Sequence, residues 1–231
     1  MISFIVPIFN AHPYLVRCIE SILMQDTNEP IQLIVVDDGS TDDGLSLLQA
    51  YARMYPNIEV YAQQHSGQSA ARNLGHSHAE GEYIAFVDAD DCIKEDWCQT
   101  HLNAIKGVDY VQSGYFRERP FLPKNRYQFT SPCMRLYRSQ AIAGMRFPEG
   151  MIYEDVLFSV ELWLRNASCR MISYAGYGYI ENPDSTTSTR RPEAEQQLFK
   201  ALKEKLTQAN LRGKMIILYT IIRLKLHFKR S

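Results

Sequence analysis

The stretch YIAFVDADD, residues 83–91, carries the strongest signal of the fold in this chain. It is a continuous apolar and aromatic run that ends in three acids within four positions, Asp88, Asp90 and Asp91. A run without alternation of apolar and polar residues predicts a strand that is buried on both faces, as in parallel sheets covered by helices. The acids predict a turn at the carboxyl end of that strand, either a solvated turn or one that holds a cation.

The same pattern of buried strands separated by helices extends outward from this stretch, from the amino terminus to about residue 113. Leu15 and Ile22 recur at helical spacing, and Ser40 or Thr41 is expected to cap the next helix. Alternating strands and helices predict an α/β fold with a doubly wound, mostly parallel sheet. The other strands are predicted in four stretches: SFIVPI at 3–8, IQLIVV at 31–36, NIEVYAQ at 57–63 and VDYVQSG at 108–114.

The second half of the chain has a different character. Residues 114–150 are rich in Pro, Arg and aromatic residues without sustained periodicity, which predicts irregular structure or a short strand packed over the site. The stretch MIYEDVLFSVELWLRN, residues 151–166, predicts a helix with Glu154 and Asp155 in its first turn. Acids at this position suit the helix dipole whatever else they do. The last forty residues are predicted to be helical and basic.

Composition limits the classes of protein to which the chain can belong. With 231 residues, 45% of them hydrophobic, it can bury a substantial core as one large domain or one domain with an appendage. A net charge of -1 provides no global positive field, so we expect no nucleic acid partner. The five cysteines lack a Cys-x-x-Cys pair and predict reduced thiols in the cytoplasm. The opening MISFIVPIFN is interrupted by Pro7 and is expected to be the first strand, not a leader.

Three short motifs follow predicted strands and should therefore meet at one edge of the sheet: PIFN at 7–10, DDGSTD at 37–42 and DADD at 88–91. Ligands of such sheets bind beyond the carboxyl ends of the strands. Asp88 and Asp90 offer hard oxygen ligands for a divalent cation. Crowded carboxylates repel one another unless a cation or a hydrogen-bond donor lies among them. Taken alone, the acids of DDGSTD would also suit a turn and a helix cap.

Five motifs occur in the order and at about the spacing of the inverting family 2 glycosyltransferases of GT-A fold: FIVPIFN, LIVVDDGSTDD, SGQSAARNLG, GEYIAFVDADD and FPEGMIYEDVLF. The chain resembles that family over roughly residues 1–190. The resemblance implies transfer of a sugar from a nucleoside diphosphate donor, usually a uridine one, with inversion, in surface polysaccharide or lipid-linked glycan synthesis. It also implies a nucleotide-binding half at 1–113 and an acceptor-side half at 114–190, followed by a basic helical extension at 191–231.

The resemblance implies a role for individual residues as well. Asp90, with Asp88 nearby, would hold Mn²⁺ or Mg²⁺ between the donor phosphates. Asp155 would be the general base, with Glu154 as the second choice, although first-turn acids of a helix remain the alternative. The implied contacts to the donor nucleotide are Pro7, Phe9, Asn10, Asp37, Asp38, Arg72 and Asp88.

Within that set, Pro7 and Phe9 would form the wall of the nucleoside pocket. Asp38, or in second place Asp37, would accept a hydrogen bond from the uracil ring or the ribose. Arg72 would approach the nucleotide or, alternatively, be a surface charge on its helix. His65, beside the predicted nucleotide-binding loop, is interpreted as a polar surface residue.

The chain departs from the family at two places. Phe9 stands where members often carry Tyr, and Ile180 and Glu181 stand where many carry an arginine. A cation for the pyrophosphate would have to come from Arg190 or Arg191, and this contact stays unassigned.

Other classes of protein explain fewer of the motifs. A receiver-like signalling module also has an acidic pair after a buried strand, but it would be about half this length and would not explain DADD or YEDVLF. A sugar-nucleotide pyrophosphorylase would need a Gly-rich loop with Arg and Lys after the first strand, where this chain has PIFNAHPYL. A non-catalytic homologue that binds nucleotide stays open, because a sequence does not measure turnover.

The carboxyl terminus suggests where the protein works. After Glu204 the chain has seven Lys or Arg and no acid, and its apolar run MIILYTII is too short for a bilayer, which needs about 20 residues. On a helix, Arg212 and Arg223 fall on one side and Lys214 and Lys225 roughly opposite. The alternatives are a helix that docks on the core and a peripheral contact, through 211–231, with the cytoplasmic face of the inner membrane. There the acceptor would be a lipid-carried saccharide.

Overall fold

The computed structural model describes residues 1–117, 130–180, 182 and 191–228. Its strands are β1 (Ile2–Ile8), β2 (Ile31–Asp37), β3 (Ile58–Ala62), β4 (Tyr83–Phe86), β5 (Cys92–Ile93), β6 (Tyr110–Arg117), β7 (Arg135–Arg138) and β8 (Cys169–Tyr179). Its α-helices are α1 (His12–Leu23), α2 (Gly44–Met54), α3 (Gln68–Ser77), α4 (Trp97–Ala104), α5 (Glu154–Leu164), α6 (Pro192–Gln208) and α7 (Leu211–Phe228).

The eight strands form one sheet in the order β3-β2-β1-β4-β7-β6-β8-β5. From β3 to β4 all neighbours are parallel, and helices α1, α2 and α3 connect these strands. Strand β7 then runs antiparallel to both β4 and β6, β6 and β8 are parallel, and β5 is antiparallel to β8. The predicted α/β doubly wound sheet is confirmed, and its antiparallel pairs are confined to the half beyond β4.

Strand β7 corrects the prediction for residues 114–150, because it lies inside the sheet and is not packed over the site. Its sequence, RLYR, looks like a surface segment. Yet the Arg135 side chain is fully buried, and its guanidinium lies 5.4 Å from the centre of the Tyr110 ring. It donates hydrogen bonds to the side chains of Gln112 and Ser159. Because a charged residue occupies a core position, this segment lacks the alternation of apolar and polar residues that would identify a strand in the sequence. Residues 118–129 of that segment lie outside the described residues.

The start of α2 also differs from the prediction. Neither Ser40 nor Thr41 caps the helix, which begins at Gly44 after Asp43. The backbone N–H of Thr41 donates instead to the Asn10 side chain, at 2.8 Å. The β2–α2 loop is therefore tied to the end of β1 before the helix begins.

Two apolar clusters hold the described structure together. The larger lies between the sheet and its flanking helices. The smaller joins one face of α5 to the two carboxyl-terminal helices through Val156, Leu157, Val160, Leu198, Leu202, Ile217 and Phe228. Helix α5 thus contacts both clusters. None of the helices in the described ranges combines the length and apolar composition needed to cross a bilayer.

Candidate active site

Register in the parallel half brings the three motifs to one edge of the sheet. Ile8 at the end of β1 lies beside Asp37 at the end of β2, and Asp37 lies beside Ala62 of β3. Strand β4 ends at Phe86, just before the acidic loop at 88–91. Side chains that follow these strands therefore border a common space beyond the sheet, where ligands of such folds bind.

Asp38 fastens the β3–α3 loop to the end of β2. Its buried carboxylate accepts hydrogen bonds from Gln63 Nε2 at 2.7 Å and from the backbone N–H groups of Ser66 and Gly67, both at 2.8 Å. His65 Nδ1 lies 2.9 Å from the second oxygen. A carboxylate has about four acceptor positions. Protein donors thus already surround Asp38, and a nucleotide would have to share it with them.

The other nucleotide-site candidates lie around this loop. The Phe9 ring is 47% exposed and stacks on His65, with centroids 4.1 Å apart. Pro7 is buried inside β1, beside Val36. The Phe9 and His65 rings together form an aromatic shelf at the edge of the sheet, whereas His65 was expected to be only a polar surface residue.

Asn10 and Asp37 shape the neighbouring turn. Asn10 has a positive φ of 49°, which Asn tolerates better than most residues, and its N–H donates to Ser40 Oγ. Both oxygens of Asp37 accept from the Ser40 N–H, at 3.3 Å. These two side chains are therefore engaged in holding the loop around residue 40.

Arg72 joins two parts of the site that are far apart in the sequence. Its guanidinium donates to Asp88 Oδ1 at 2.7 Å and to Glu154 Oε1 at 2.6 Å, and it lies 5.2 Å from the centre of the Phe147 ring. The side chain is 4% exposed, so it is not a solvated helix-surface charge. Burial alone would lower the pKa of Arg72, but the negative charges of Asp88 and Glu154 oppose this effect and the pKa is raised. One cation thus links the 88–91 loop to the start of α5.

This arrangement makes Arg72 important for stability. We expect Arg72→Met to lower the free energy of unfolding by about 3 kcal/mol, because it leaves Asp88 and Glu154 without their cation. Urea denaturation measures the loss, and Arg53→Met, at an exposed arginine of α2, is the matched control. The double variant Arg72→Met, Glu154→Gln should recover part of the stability. An unchanged urea midpoint for Arg72→Met would mean that the ion pairs contribute nothing.

The 88–91 loop is held from beneath by β8. Tyr177 donates its hydroxyl to Asp91 Oδ2 at 2.6 Å and accepts from the backbone N–H of Asp88 at 3.2 Å. The N–H of Ile180 donates to the other oxygen of Asp91. Asp91 is therefore a buried structural acid, and the remaining acids of the loop, Asp88 and Asp90, are the two that border the open edge.

Asp90 has the environment expected of a cation ligand. Burial, followed by repulsion from Asp88, raises the pKa of Asp90, while a hydrogen bond of 3.0 Å from Asn182 Nδ2 opposes the shift. The described residues hold no group of three or more His, Cys, Asp or Glu side chains arranged around one metal position. An ion that bridges phosphates needs only one or two protein carboxylates. Asp88 and Asp90 fit Mn²⁺ or Mg²⁺ of that kind.

The two acids at the start of α5 have different surroundings. Tyr153, which precedes them, adopts a left-handed backbone conformation, with φ 66°. Glu154 is neutralised by Arg72. Asp155 accepts a hydrogen bond from Thr130 Oγ1 at 2.9 Å, and burial, followed by repulsion from Glu154, raises its pKa to about 6. Adjacent carboxyl groups with separated environments are typical of sites where one acid exchanges protons and the other does not.

The segment after β8 returns to the acidic loop, through the contacts of Ile180 and Asn182 described above. Glu181 and Arg190 lie outside the described residues, and Arg191 directly precedes α6. Sequence reasoning did not single out Asn182, Thr130 or Tyr177, because their partners lie 25 to 92 residues away along the chain.

Comparison with known proteins gives one family. A family model described as "Glycosyl transferase family 2" matches residues 3–153. The glycosyltransferase GlyG of Streptococcus pneumoniae is 41% identical over 119 residues, which cover 50% of this chain and 39% of GlyG. The minor teichoic acid biosynthesis protein GgaB of Bacillus subtilis is 47% identical over 222 residues, which cover 85% of this chain and 25% of GgaB. This chain thus spans less than half the length of either relative.

A solved structure has the same fold. TarS from S. aureus, crystallised in complex with UDP-GlcNAc, matches with a TM-score of 0.81 at 24% identity over 95% of this chain and 71% of that one. The likeness confirms the predicted GT-A fold.

Proposed function

The chain belongs to glycosyl transferase family 2, and from this premise we propose that it transfers a sugar from a nucleoside diphosphate donor to an acceptor hydroxyl with inversion. The observation that carries the proposal is the Arg72 link, which brings the acidic loop and the start of α5 together at the ligand-binding edge of the sheet. Uridine is the proposed nucleoside, and the complex of TarS with UDP-GlcNAc supports it. Family membership leaves the receiver-like signalling module without support.

The proposed nucleoside position is the aromatic shelf at the ends of β1 and β3. Phe9 and His65 offer ring surface on which a base can stack. Asp38 fixes the loop that carries His65. Asp38 therefore contributes to binding of the base in two ways, by direct contact and by holding His65 in position. Asp37 and Asn10 shape the turn beside it, and Pro7 supports the shelf from within β1.

Asp90 and Asp88 are the proposed ligands of a Mn²⁺ or Mg²⁺ ion at the donor phosphates. When bound there, such an ion would supply positive charge to offset the negative charge that develops on the departing diphosphate. Arg72 holds Asp88 at 2.7 Å and so fixes one of the two carboxylates in place. Asn182 donates a hydrogen bond to Oδ2 of Asp90 and so restrains the second carboxylate.

Asp155 is the proposed general base. It takes the proton from the acceptor hydroxyl while that oxygen attacks the anomeric carbon on the face opposite the departing diphosphate, which inverts the configuration. A pKa of about 6 leaves Asp155 ionised at neutral pH, yet makes it a stronger base than an ordinary aspartate. Glu154, already neutralised by Arg72, holds α5 in position and does not take the proton.

The raised pKa predicts the pH dependence. A base works only when it is deprotonated, so kcat/KM should fall as the pH is lowered through about 6, well above the usual aspartate value near 4. The hydrogen bond from Thr130 lowers this pKa, and Thr130→Val should therefore move the acid limb to higher pH. A pH profile of diphosphate release for both proteins measures the shift. An acid limb at pH 4 would contradict Asp155 as the base.

The proposed acceptor is a growing unit of a surface polysaccharide or lipid-linked glycan, met in the cytoplasm. The name of GgaB, which places that relative in teichoic acid biosynthesis, supports this class. Residues 1–190 are the proposed GT-A domain, divided at about 113 into donor and acceptor halves, and residues 191–231 are the proposed extension.

The proposed function is tested with a panel of nucleotide sugars, offered with and without manganese, with release of the nucleoside diphosphate as the readout. One donor should be hydrolysed slowly and only with the metal, and the anomer formed with an acceptor should be inverted, as read by NMR. Binding of a nucleotide without turnover of any donor would identify a non-catalytic homologue instead.

A further inference from the structure

The outward face of α7 carries a continuous apolar stripe. Large side chains exposed by 46% to 79% line it at helical spacing: Leu211, Met215, Leu218, Tyr219, Ile222 and Leu226. The opposite face is buried against α5 and α6 through Gly213, Ile217, Thr220 and Phe228. Single exposed apolar residues are common, but a contiguous stripe marks a surface that contacts something else.

Cations border the stripe on both sides. At about 100° per residue, the stripe covers an arc of about 100°, with Arg212 and Arg223 along one edge and Lys214 and Lys225 along the other. All four are exposed. The placement of these cations on opposite sides of the helix, noted in the sequence, therefore forms a border around an apolar centre. Long basic side chains can keep their charge in water while their stems lie along an apolar surface.

The border of cations indicates which partner the stripe fits. If two copies of α7 packed stripe to stripe, cations would face cations in either orientation, because the chain has no acid after Glu204. Helices that pair in water normally place opposite charges at these flanks. An anionic lipid surface offers both an apolar layer for the stripe and negative headgroups for the border.

A groove beside the stripe has the same character. It lies between α6 and α7, has a volume of about 610 Å³, and combines an apolar floor with three cations and one acid, namely Phe199, Ile221, Lys200, Lys203, Lys225 and Glu204. The surplus of lysines extends the positive border of α7 toward α6. The cationic surface is thus wider than one helix.

The buried side of α7 leads directly to the proposed base. Ile217 packs in one cluster with Val156 and Val160 of α5. At the end of α7, the Phe228 ring lies 5.4 Å from the ring of Tyr153, the residue just before the acids of α5. A single layer of helix therefore separates the apolar stripe from the helix that carries Asp155.

We propose that the outer face of α7 is a membrane-docking surface that lies in the plane of an anionic lipid interface. Docking in this way holds the start of α5 beside the interface, so a lipid-carried acceptor reaches Asp155 while its lipid stays in the bilayer. The acceptor part of this inference rests on the proposed function, whereas the docking rests on the surface of α7 and the adjoining groove.

Flotation of the full chain with lipid vesicles tests the docking. At low salt the protein should float with phosphatidylcholine vesicles that contain phosphatidylglycerol, and less with phosphatidylcholine alone. Replacing Leu218 and Ile222 with Glu should lower the floated fraction by about tenfold or more, since it removes apolar contact and adds repulsion. The matched control, Met24→Glu with Met54→Glu, changes two side chains that are each 64% exposed, just after α1 and at the end of α2, and should float normally.

Each outcome decides a different point. Failure of the full chain to float with the anionic vesicles, or normal flotation of the Leu218 and Ile222 variant, overturns the docking surface. A dimer in analytical ultracentrifugation that this variant disperses would instead make the stripe a self-association face. Release of diphosphate from the donor into water, measured without vesicles, should be equal in the variant and the wild type. If flotation behaves as expected but no donor is hydrolysed, the proposed function is wrong and the docking stands.

Discussion

The Asp90→Asn variant is expected to lose the metal-dependent part of donor binding and, with it, sugar transfer. An asparagine keeps the size of the side chain and can still contact Asn182, but it removes the negative charge that attracts a divalent cation. Isothermal titration with uridine diphosphate, with and without manganese, measures the effect. The wild type should bind more tightly with the metal, whereas the variant should give the same affinity in both conditions.

The fold should survive this substitution. Asp90 is crowded by Asp88, so removing its charge relieves repulsion and does not open a cavity. Asp26→Asn, at an exposed acid beyond α1, is the control for the chemical change itself and should respond to manganese as the wild type does. A normal response of Asp90→Asn to manganese, together with normal transfer, would remove Asp90 from the metal site.

The Asp155→Asn variant should lower kcat by about a hundredfold or more and leave the affinity for the donor nearly unchanged. The reason is that Asp155 acts on the acceptor proton and has no proposed contact with the nucleotide. Glu154→Gln should have a smaller effect on kcat and a larger one on stability, because Glu154 neutralises Arg72. Steady-state kinetics with donor and acceptor, combined with urea denaturation, separates the two roles.

A third acid on α5 provides the control. Glu161 pairs with Lys205 and Arg165, away from the sheet edge, and Glu161→Gln should keep full activity. If Glu154→Gln lost more activity than Asp155→Asn, the two roles would have to be exchanged. If neither lost activity, both acids would be first-turn acids of the helix and nothing more.

The parallel half of the sheet could be predicted because its strands are apolar runs between recognisable helices. The half of the sheet that contains antiparallel pairs has no such apolar runs. Strand β7 carries the buried Arg135, and the first residues of β8, from Cys169 to Met171, are exposed, so neither strand has a continuous apolar run. Helix α4 and strand β5 are short, at 8 and 2 residues, and give weak periodic signals.

The acids of the site could be found in the sequence because they directly follow predicted strands or begin a predicted helix. The different roles of these acids could not be predicted from the sequence. Arg72 meets partners that are 16 and 82 residues away, and no local pattern shows that one guanidinium will bind both. In the same way, Asp38 was recognisable as an acid after a strand, but its four partners, three donors and His65, come from a loop whose direction only the folded chain defines.

The double packing of α5 restricts how the protein can be shortened. A fragment that stops at residue 190 would present Val156, Leu157 and Val160 to water, because these side chains are now covered by α6 and α7. Bare apolar clusters of this kind promote aggregation. The fragment would therefore fail as a soluble preparation even with every proposed site residue intact. Crystallisation and library screens should keep the last two helices and vary single side chains on their outer face.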